Sequence, residues 1–203
     1  MGWIFPIAIV ILWQLASGLG LIQAEWLPSP LTIAKTLFEL GRTGELWGHI
    51  GVTTLRVLVG FLIGAAAGTV AGAVTGYSKT ARKLLDPTLQ ALRNIPSMAW
   101  VPLFLLWLGI FEKSKIALIA TGVFFPVYLT LASGIEQVDR KLVEVGELFG
   151  LGPKELILRI ILPAALPSWI TALRSGLSLG WMFVVAAELM GASKGLGFLM
   201  YDA

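Results

Sequence analysis

The sequence contains no cysteine, a single histidine (His49) and few charged residues, which make up 13% of its 203 positions. Without cysteine the chain has no disulfide framework and no thiolate chemistry, and one histidine cannot form a clustered zinc site. The phosphate-loop pattern G-x-x-x-x-G-K-[ST] is also absent, so the chain lacks the usual means of holding a nucleoside triphosphate. Hydrophobic residues, by contrast, make up 57%, more than one soluble core could bury.

The hydrophobic residues lie in stretches long enough to cross a membrane, which takes about 20 residues of helix. We therefore predict an all-α, polytopic membrane protein with a single transmembrane domain over residues 1–203. The first stretch lacks a basic leader and is followed by further spans, so we interpret it as a membrane anchor and not as a signal peptide. The predicted spans cover residues 3–22, 52–77, 88–110, 116–135 and 166–189.

Basic residues beside the spans predict the orientation of the chain. Three lysines and arginines lie within 79–83, after the second span, and four lie within 140–159, after the fourth. The positive-inside rule places both loops in the cytoplasm, and the amino terminus with them. Segment 23–50 then lies outside, where the spacing of apolar residues predicts a surface helix over about 30–41.

The second span carries a glycine at every fourth position. A stripe of small residues lets two helix backbones approach closely, which is how helices associate in lipid. We predict static helix packing for this stripe; sliding between two states and contact with a second subunit remain alternatives. The glycines are Gly60, Gly64, Gly68, Gly72 and Gly76.

The third span contains Pro96 and Pro102, each of which removes a backbone donor and frees a carbonyl one turn earlier. Freed carbonyls in a membrane require a polar or wet neighbour, so this helix is a candidate for lining an aqueous path, with a simple packing kink as the alternative. The candidate path residues are Asn94, Ser97, Trp100, Ser175, Ser178 and Glu188.

Few ionisable residues lie within the spans, and all of them are within a few turns of a helix end. We expect snorkelling to satisfy most of them. No pair lies clearly at the middle of the membrane, which argues against a carrier coupled to protons or sodium. The arginines would give a path a mild preference for anions, although headgroup contacts explain them equally well. These residues are Arg56, Arg93, Arg174 and Glu188.

A compact charged segment, EVGELFGLGPKELILRIILPAALP, separates the fourth and fifth spans. Asp139 is placed to cap a short helix, and Gly150 to end that helix in a left-handed conformation. Gly152 and Pro153 suit the start of a second short helix. We expect Pro163 to close this second helix before the fifth span begins.

The first short helix of this segment is amphipathic. At 100° per residue, Leu142, Val145 and Phe149 cluster on one side, whereas Glu144 and Glu147 occupy the opposite side. A helix that binds only a membrane surface is rich in lysine and arginine, so the mixture of acids and bases here suits a protein groove better. A solvated connector that binds nothing is the alternative from amphipathicity alone.

The segment resembles the EAA loop of ATP-binding-cassette importer permeases, whose pattern is E-A-A-x3-G-x9-I-x-L-P. Here the pattern is met by Glu144-Val145-Gly146, then Gly150, then Ile160-Ile161-Leu162-Pro163, with valine and glycine in place of the two alanines. Further stretches resemble the nitrate/sulfonate/taurine branch of these permeases. They include LPSPLTIAKTLFEL, GELWGHIGVTTLRVLVGF, LLDPTLQALRNIPSMAWVPLFLLWLGI and VVAAELMGASKGLGFLM.

The resemblance implies a type I importer permease-like helical bundle in the bacterial inner membrane, surrounded by lipid, with no nucleic-acid partner. Two permease copies, expected to be identical, would form the pore. Cytoplasmic ATPase subunits holding ATP and magnesium would dock on the coupling loop, 136–163, and a periplasmic binding protein would deliver a small oxyanion such as an alkanesulfonate, taurine or nitrate. The implied coupling residues are Leu142, Glu144, Val145, Gly146, Glu147, Phe149, Gly150, Ile160, Leu162 and Pro163.

On this reading the chain is a transport subunit with no cofactor and no enzymatic chemistry of its own. Permeases of the family usually have six spans, whereas this sequence stops after GLGFLMYDA, so either the sequence is incomplete or this member is short. Two other functions remain as alternatives: an ion-coupled carrier, and a membrane scaffold that anchors a soluble complex.

Overall fold

The structure is a computed structural model, and it describes residues 4–20, 27–96, 99–189 and 191–202. Helices make up most of these residues, and none of them lies in a strand. The all-α prediction is therefore confirmed over the described part of the chain. The chain divides into two compact units, residues 1–50 and 51–203, and each is described by itself.

The first unit contains α1 (Ile4–Gly18) and α2 (Pro30–Thr43). The α1 helix has 15 residues, whereas the predicted first span, 3–22, includes positions that lie outside the described residues. The α2 helix covers the segment predicted as a surface helix. The Ser29 hydroxyl caps its first turn by accepting from the Thr32 N–H at 3.1 Å. Gln14 of α1 accepts a hydrogen bond from the Leu31 N–H at 3.1 Å.

The remaining helices belong mainly to the second unit, although α3 begins a few residues before it. In this unit α8 passes through a π-helical segment, Ile157–Ile161, directly into α9. The elements are α3 (Glu45–Tyr77), α4 (Lys79–Arg93), α5 (Trp100–Leu108), α6 (Glu112–Glu136), α7 (Arg140–Leu148), α8 (Pro153–Leu156), α9 (Leu162–Leu189) and α10 (Leu196–Asp202).

Among the described residues, three helices are long and apolar enough to cross a membrane: α3, α6 and the continuous helix Pro153–Leu189. The first two begin a few residues before the predicted second and fourth spans. The third has 37 residues, which corresponds to about 55 Å at 1.5 Å per residue. Because a bilayer core is only about 30 Å thick, this helix extends well beyond the hydrocarbon.

The described residues of the predicted third span, 88–110, form two helices instead of one. The first, α4, ends at Arg93, and α5 begins at Trp100. Pro96 accounts for the break, because proline has no N–H donor and disfavours the helical conformation of the preceding residue, Ile95. The expectation of a single helix across this stretch is thereby corrected.

Pro163 was expected to close a short helix, but it lies inside the long one, at the second position of α9. The π-helical segment explains why the helix continues. The Leu162 N–H donates to the Ile157 carbonyl, five residues back, and this wider turn shifts the hydrogen-bond register directly before the proline. The missing donor at Pro163 is accommodated there.

The glycine stripe of α3 packs against α6. A Cβ added to Gly60 would lie 2.6 Å from Ile119 Cγ2, and one added to Gly76 would lie 2.9 Å from Ile135 Cβ. Intermediate glycines meet intermediate residues of α6 in the same order, so the two helices run parallel. The stripe therefore lets the two backbones approach within this chain.

The α9 helix runs antiparallel to α3 and α6. A Cβ at Gly180 would meet Val123 Cγ2 at 3.3 Å, whereas Gly134, much further along α6, lies against Ser168 near the start of α9. The core between the three helices is built from small and branched side chains. Its buried members are Val57, Ala65, Ile119, Val123, Val127, Ala172 and Val184.

Candidate functional site

The α7 helix of the coupling loop has both of its predicted caps. The Asp139 carboxylate accepts from the Lys141 N–H at 2.9 Å, which satisfies a free donor of the first turn. At the other end Gly150 has a φ of 76°, a left-handed conformation that favours glycine. The Leu151 N–H then reaches back to the Gly146 carbonyl at 3.1 Å, and the Gly150 N–H to the Glu147 carbonyl at 2.9 Å, which is a Schellman motif.

Gly146 holds α7 against the long helix that follows the turn. It is buried, and a Cβ added to it would lie 2.5 Å from Ile160 Cδ1 and 2.6 Å from Leu156 Cδ2. Leu156 is itself buried. The missing side chain therefore lets α7 rest directly on the segment that leads into α9.

The start of the long helix is also capped as predicted. Gly152 is the N-cap, Pro153 takes the first helical position, and the Glu155 carboxylate accepts from the Gly152 N–H at 3.3 Å. From there Ile160, in the π-helical segment, and Leu162, at the start of α9, lie on one unbroken helix. The predicted coupling residues thus belong to two rigid helices joined by a tight turn.

Apolar side chains at the carboxyl end of α7 are turned away from the rest of the unit. Leu148 is 86% exposed and Phe149 81% exposed. Leu142 and Val145 are also exposed, as expected for residues that await a partner. Leu148 was missing from the predicted set, because helical spacing places it one turn after Glu144, on the acidic side of α7.

The acidic face of α7 borders a polar cavity of about 470 Å³. Glu144 and Glu147 line it together with Lys79 of α4 and Arg140 of α7. Arg82, which also lines it, forms ion pairs with Glu136 and, at 3.5 Å, with Asp86. Positive and negative side chains are therefore mixed around this cavity.

The candidate path residues are not gathered into one cavity in the described part of the chain. Asn94 is the exposed C-cap of α4, and Trp100 begins α5, where its ring stacks on Phe104 at 5.8 Å. Ser97 lies outside the described residues. Ser175 and Ser178 are exposed on α9. The assignment of these residues to a path stays a prediction.

Glu188, the last of that set, belongs to an ionic cluster centred on Arg56, in which Arg56 and Glu188 are buried and Glu112 is exposed. The Arg56 Nε and Nη2 each donate to a Glu112 oxygen at 2.6 Å. Its Nη1 donates to Glu188 Oε1 at 2.8 Å and to the Lys194 carbonyl at 2.6 Å. One guanidinium thereby joins α3, α6, the end of α9 and the turn before α10.

Glu188 is satisfied by two further donors. The Thr53 hydroxyl and the Gly197 N–H each donate to its carboxylate at 2.8 Å. Gly195 has a φ of 135°, and a side chain there would collide with this carboxylate, so the turn can close over Glu188 only with glycine. Every oxygen of a buried carboxylate requires such partners, because an unpaired one is costly.

For Arg56 and Glu188, this cluster corrects the expectation that snorkelling satisfies most of the ionisable residues of the spans. Arg56 is 5% exposed and Glu188 1% exposed, so neither side chain reaches an interface. The general rule that intramembrane charges pair with one another was the signal that Arg56 and Glu188 have charged or polar partners. It did not identify the partners, which are distant in sequence.

Most of this chain matches a known protein family. A family model described as "Binding-protein-dependent transport system inner membrane component" matches residues 60–203, which include the glycine stripe, the coupling loop and most of the ionic cluster.

Individual relatives cover almost the whole chain. The permease protein SsuC of Bacillus subtilis (strain 168), named for aliphatic sulfonates transport, is 45% identical over 202 residues, which is 100% of this chain and 73% of the relative. The protein of the same name from Escherichia coli (strain K12) is 41% identical over 99% of this chain and 76% of its own length. The taurine transport system permease protein TauC of Escherichia coli (strain K12) is 34% identical over 94% of this chain and 71% of its own length.

Proposed function

This chain belongs to the binding-protein-dependent transport system inner membrane components, and from that membership we propose that it is the permease subunit of an importer driven by a separate ATPase. The family implies two kinds of partner, an ATPase and a substrate-binding protein. We propose in addition that two copies of this chain form the pore, and that ATP and magnesium are held by the ATPase.

The transported solute is proposed to be a small oxyanion of the alkanesulfonate class. This proposal rests on the relatives, since the names of SsuC and TauC refer to aliphatic sulfonates and taurine. Nitrate, the third member of the implied class, has no such support from these names. The identities of 45% and 41% to the SsuC proteins favour alkanesulfonates over taurine.

The observation that carries the coupling proposal is the exposed apolar end of α7. Leu148 and Phe149 expose more than four fifths of their surface, in a loop proposed to lie in the cytoplasm. Burying such side chains against a partner stabilises a complex by about 1.5 to 3 kcal/mol each. Glu144 lies one turn before Leu148 on the same side of α7, so we propose that it supplies a polar contact beside this apolar end, as at most protein interfaces.

The connection between α7 and α9 supports a lever mechanism. The turn at Gly150 is closed by backbone hydrogen bonds, and Gly146 seats α7 on Leu156 and Ile160. A displacement of α7 by the ATPase would therefore move the long helix Pro153–Leu189 with little bending in between. Switching between discrete helix packings is a common form of such transitions.

The remaining location proposals follow from charge. The chain is a multi-pass component of the inner membrane. We propose that the α4 region and the coupling loop face the cytoplasm, because basic residues concentrate in both, and that the amino terminus faces the cytoplasm as well, by counting the predicted spans back from the α4 region. Lipid then surrounds the outward faces of α3 and α9.

Co-purification tests the coupling proposal. The wild-type chain is expected to retain its ATPase subunit on an affinity column, and the complex in proteoliposomes with its binding protein is expected to take up an alkanesulfonate only when ATP is supplied. The substitution Leu148→Asp is expected to reduce ATPase retention about tenfold or more, because it removes the buried area of one leucine and places a charge in an apolar contact.

Leu84→Asp is the matched control, since Leu84 is similarly exposed at 72% but lies in α4. It is expected to retain the ATPase at the wild-type level. Equal retention by both variants would overturn α7 as the docking element. Uptake that continues without ATP and stops when the ion gradient is dissipated would instead identify an ion-coupled carrier.

A further inference from the structure

A polar cleft of about 490 Å³ lies between the end of α4, the second half of α6 and the start of α9. It is of the size that small-molecule sites commonly have. No acidic residue lines it among the described residues, and one guanidinium does. Its polar lining residues are Arg93, Thr130, Ser133, Gln137 and Ser168.

The hydroxyl groups of the cleft are available to a ligand. Helical serine and threonine usually bond back to their own helix, as the hydroxyls of Thr121 and Thr171 do, to carbonyls four residues earlier at 2.8 and 2.9 Å. Within the described part of the chain, Thr130, Ser133 and Ser168 form no side-chain hydrogen bond. Three donors therefore converge on the cleft without a protein acceptor.

Arg93 is likewise without an anionic partner in the described residues. The acids that flank the cleft on the same helices, Asp86 of α4 and Glu136 of α6, both lie against Arg82. The positive charge of Arg93 is thus not neutralised by a neighbouring carboxylate, and the cleft as a whole is cationic.

Close packing of α6 and α9 shapes this site. Gly134 leaves room for Ser168, whose side chain occupies the space that a Cβ at Gly134 would require. The hydroxyl of α9 is thereby brought beside those of α6. A site built from two packed helices holds its donors in place better than one built on a loop.

We propose that this cleft binds the sulfonate group of the transported solute during its passage, an inference that rests on the proposed function. A sulfonate carries one negative charge shared by three oxygens that only accept hydrogen bonds. Arg93 supplies the opposite charge, the three hydroxyls and the Gln137 amide supply further donors, and charge-assisted bonds of this kind are the strong ones. The site favours sulfonates whose other end is uncharged, because none of the described residues that line it is a carboxylate able to receive an ammonium group.

The affinity is expected to be modest, since a transported solute must leave the site again. A single guanidinium that remains exposed to solvent meets this requirement better than a buried cluster of cations. Selection of the solute from dilute solution then falls to the binding protein, while the cleft keeps the anion in the path once it has been released.

Fluorine-19 NMR of trifluoromethanesulfonate tests the site directly. The probe is titrated onto the purified complex of permease and ATPase without the binding protein, and line broadening reports binding. The wild type is expected to broaden the signal, and ethanesulfonate to compete. Arg93→Gln is expected to weaken binding about tenfold or more through loss of a charge-assisted hydrogen bond, and Arg93→Lys to retain part of it.

Arg174→Gln is the matched control, because Arg174 is an exposed arginine of α9 outside the cleft. A second test does not depend on Arg93. The double variant Thr130→Val with Ser133→Ala removes two hydroxyls of the cleft and is expected to weaken binding, whereas its control, Thr171→Val, is expected to leave binding unchanged. Equal effects of Arg93→Gln and Arg174→Gln, or no binding by the wild type, would overturn the site.

ATP-dependent uptake, measured on the same variants reconstituted in proteoliposomes together with the binding protein, separates this inference from the proposed function. Wild-type uptake together with undiminished probe binding by Arg93→Gln would refute the cleft and leave the importer function intact. Probe binding that requires Arg93, in a complex that transports nothing when ATP is added, would support the cleft and refute the proposed function.

Discussion

At the scale of single residues, Arg56 shows how a charge becomes tolerable inside a membrane protein. Four of its five N–H donors bond to Glu112, Glu188 and the Lys194 carbonyl. Removing one member of a buried ion pair leaves the other desolvated and uncompensated, which costs about 3 to 5 kcal/mol. The cluster therefore ties the ends of three helices together only while it is complete.

Arg56→Met tests this contribution. We expect a loss of about 3 to 5 kcal/mol of stability, read as a large fall in the thermal unfolding midpoint of the detergent-solubilised protein. Arg174→Met, at an exposed arginine of α9, is expected to change stability by less than about 0.5 kcal/mol. Equal midpoints for the two variants would contradict a structural role for the cluster.

At the scale of helices, the glycine stripe of α3 sets the distance to α6. The space above Gly64 is filled by the backbone carbonyl of Ala120 and by Val123, whose Cβ would be 2.8 Å from an added methyl group. A backbone carbonyl cannot rotate away as the end of a side chain can. The two helices must therefore separate if this position gains a side chain, and the dispersion contacts along the whole seam weaken.

Gly64→Ala is accordingly expected to destabilise the protein by about 1 to 3 kcal/mol through overpacking. Gly51→Ala is the control in the same helix, because nothing lies within 4 Å of a Cβ added there. Alanine is a better helix former than glycine, so this variant is expected to be neutral or stabilised by up to about 1 kcal/mol. The thermal unfolding midpoints of both variants test this expectation. A Gly64→Ala protein as stable as the wild type would show that the seam between α3 and α6 is not tightly packed.

At the scale of the molecule, helix directions within the second unit constrain how the chain crosses the membrane. Because α3 and α6 run parallel, residues 78–111 must return between them, and they do so as α4 and α5 with a break at Pro96. Antiparallel α9 then brings the chain back to the end at which α3 begins. This order places the α4 region and the coupling loop at one end, which agrees with the basic residues found in both.

The absence of cysteine makes the sidedness directly measurable. Lys83→Cys, in α4, is expected to react with a membrane-impermeant maleimide only after the cells are permeabilised, since the positive-inside rule places it in the cytoplasm. Lys35→Cys, in α2, is expected to react in intact cells. Labelling of both from the same side would refute the proposed orientation, and the cysteine-free parent serves as the blank.

Much of the architecture follows from signals that lie close together in the sequence. The spans of α3 and α6 were predicted from apolar length, and the caps at Asp139, Gly150 and Gly152 from the local chemistry of helix ends. Pro96 and Pro163 show the limit of such rules. Both prolines were recognised, but only the surrounding hydrogen bonds decided that the helix breaks at the first and continues through the second.

The order of the residues was enough to recognise a helical membrane protein, to place several of its helices, and to find the loop that resembles the coupling element of importer permeases. These properties depend on hydrophobicity and on neighbours within one or two helical turns. The folded arrangement of the helices was needed to show that Arg56 pairs with Glu112 and Glu188, which are 56 and 132 positions away, and that hydroxyls of α6 and α9 line the same cleft as Arg93. Such partners are chosen by the packing of whole helices, because the distance between two side chains depends on every contact along the seam that brings them together.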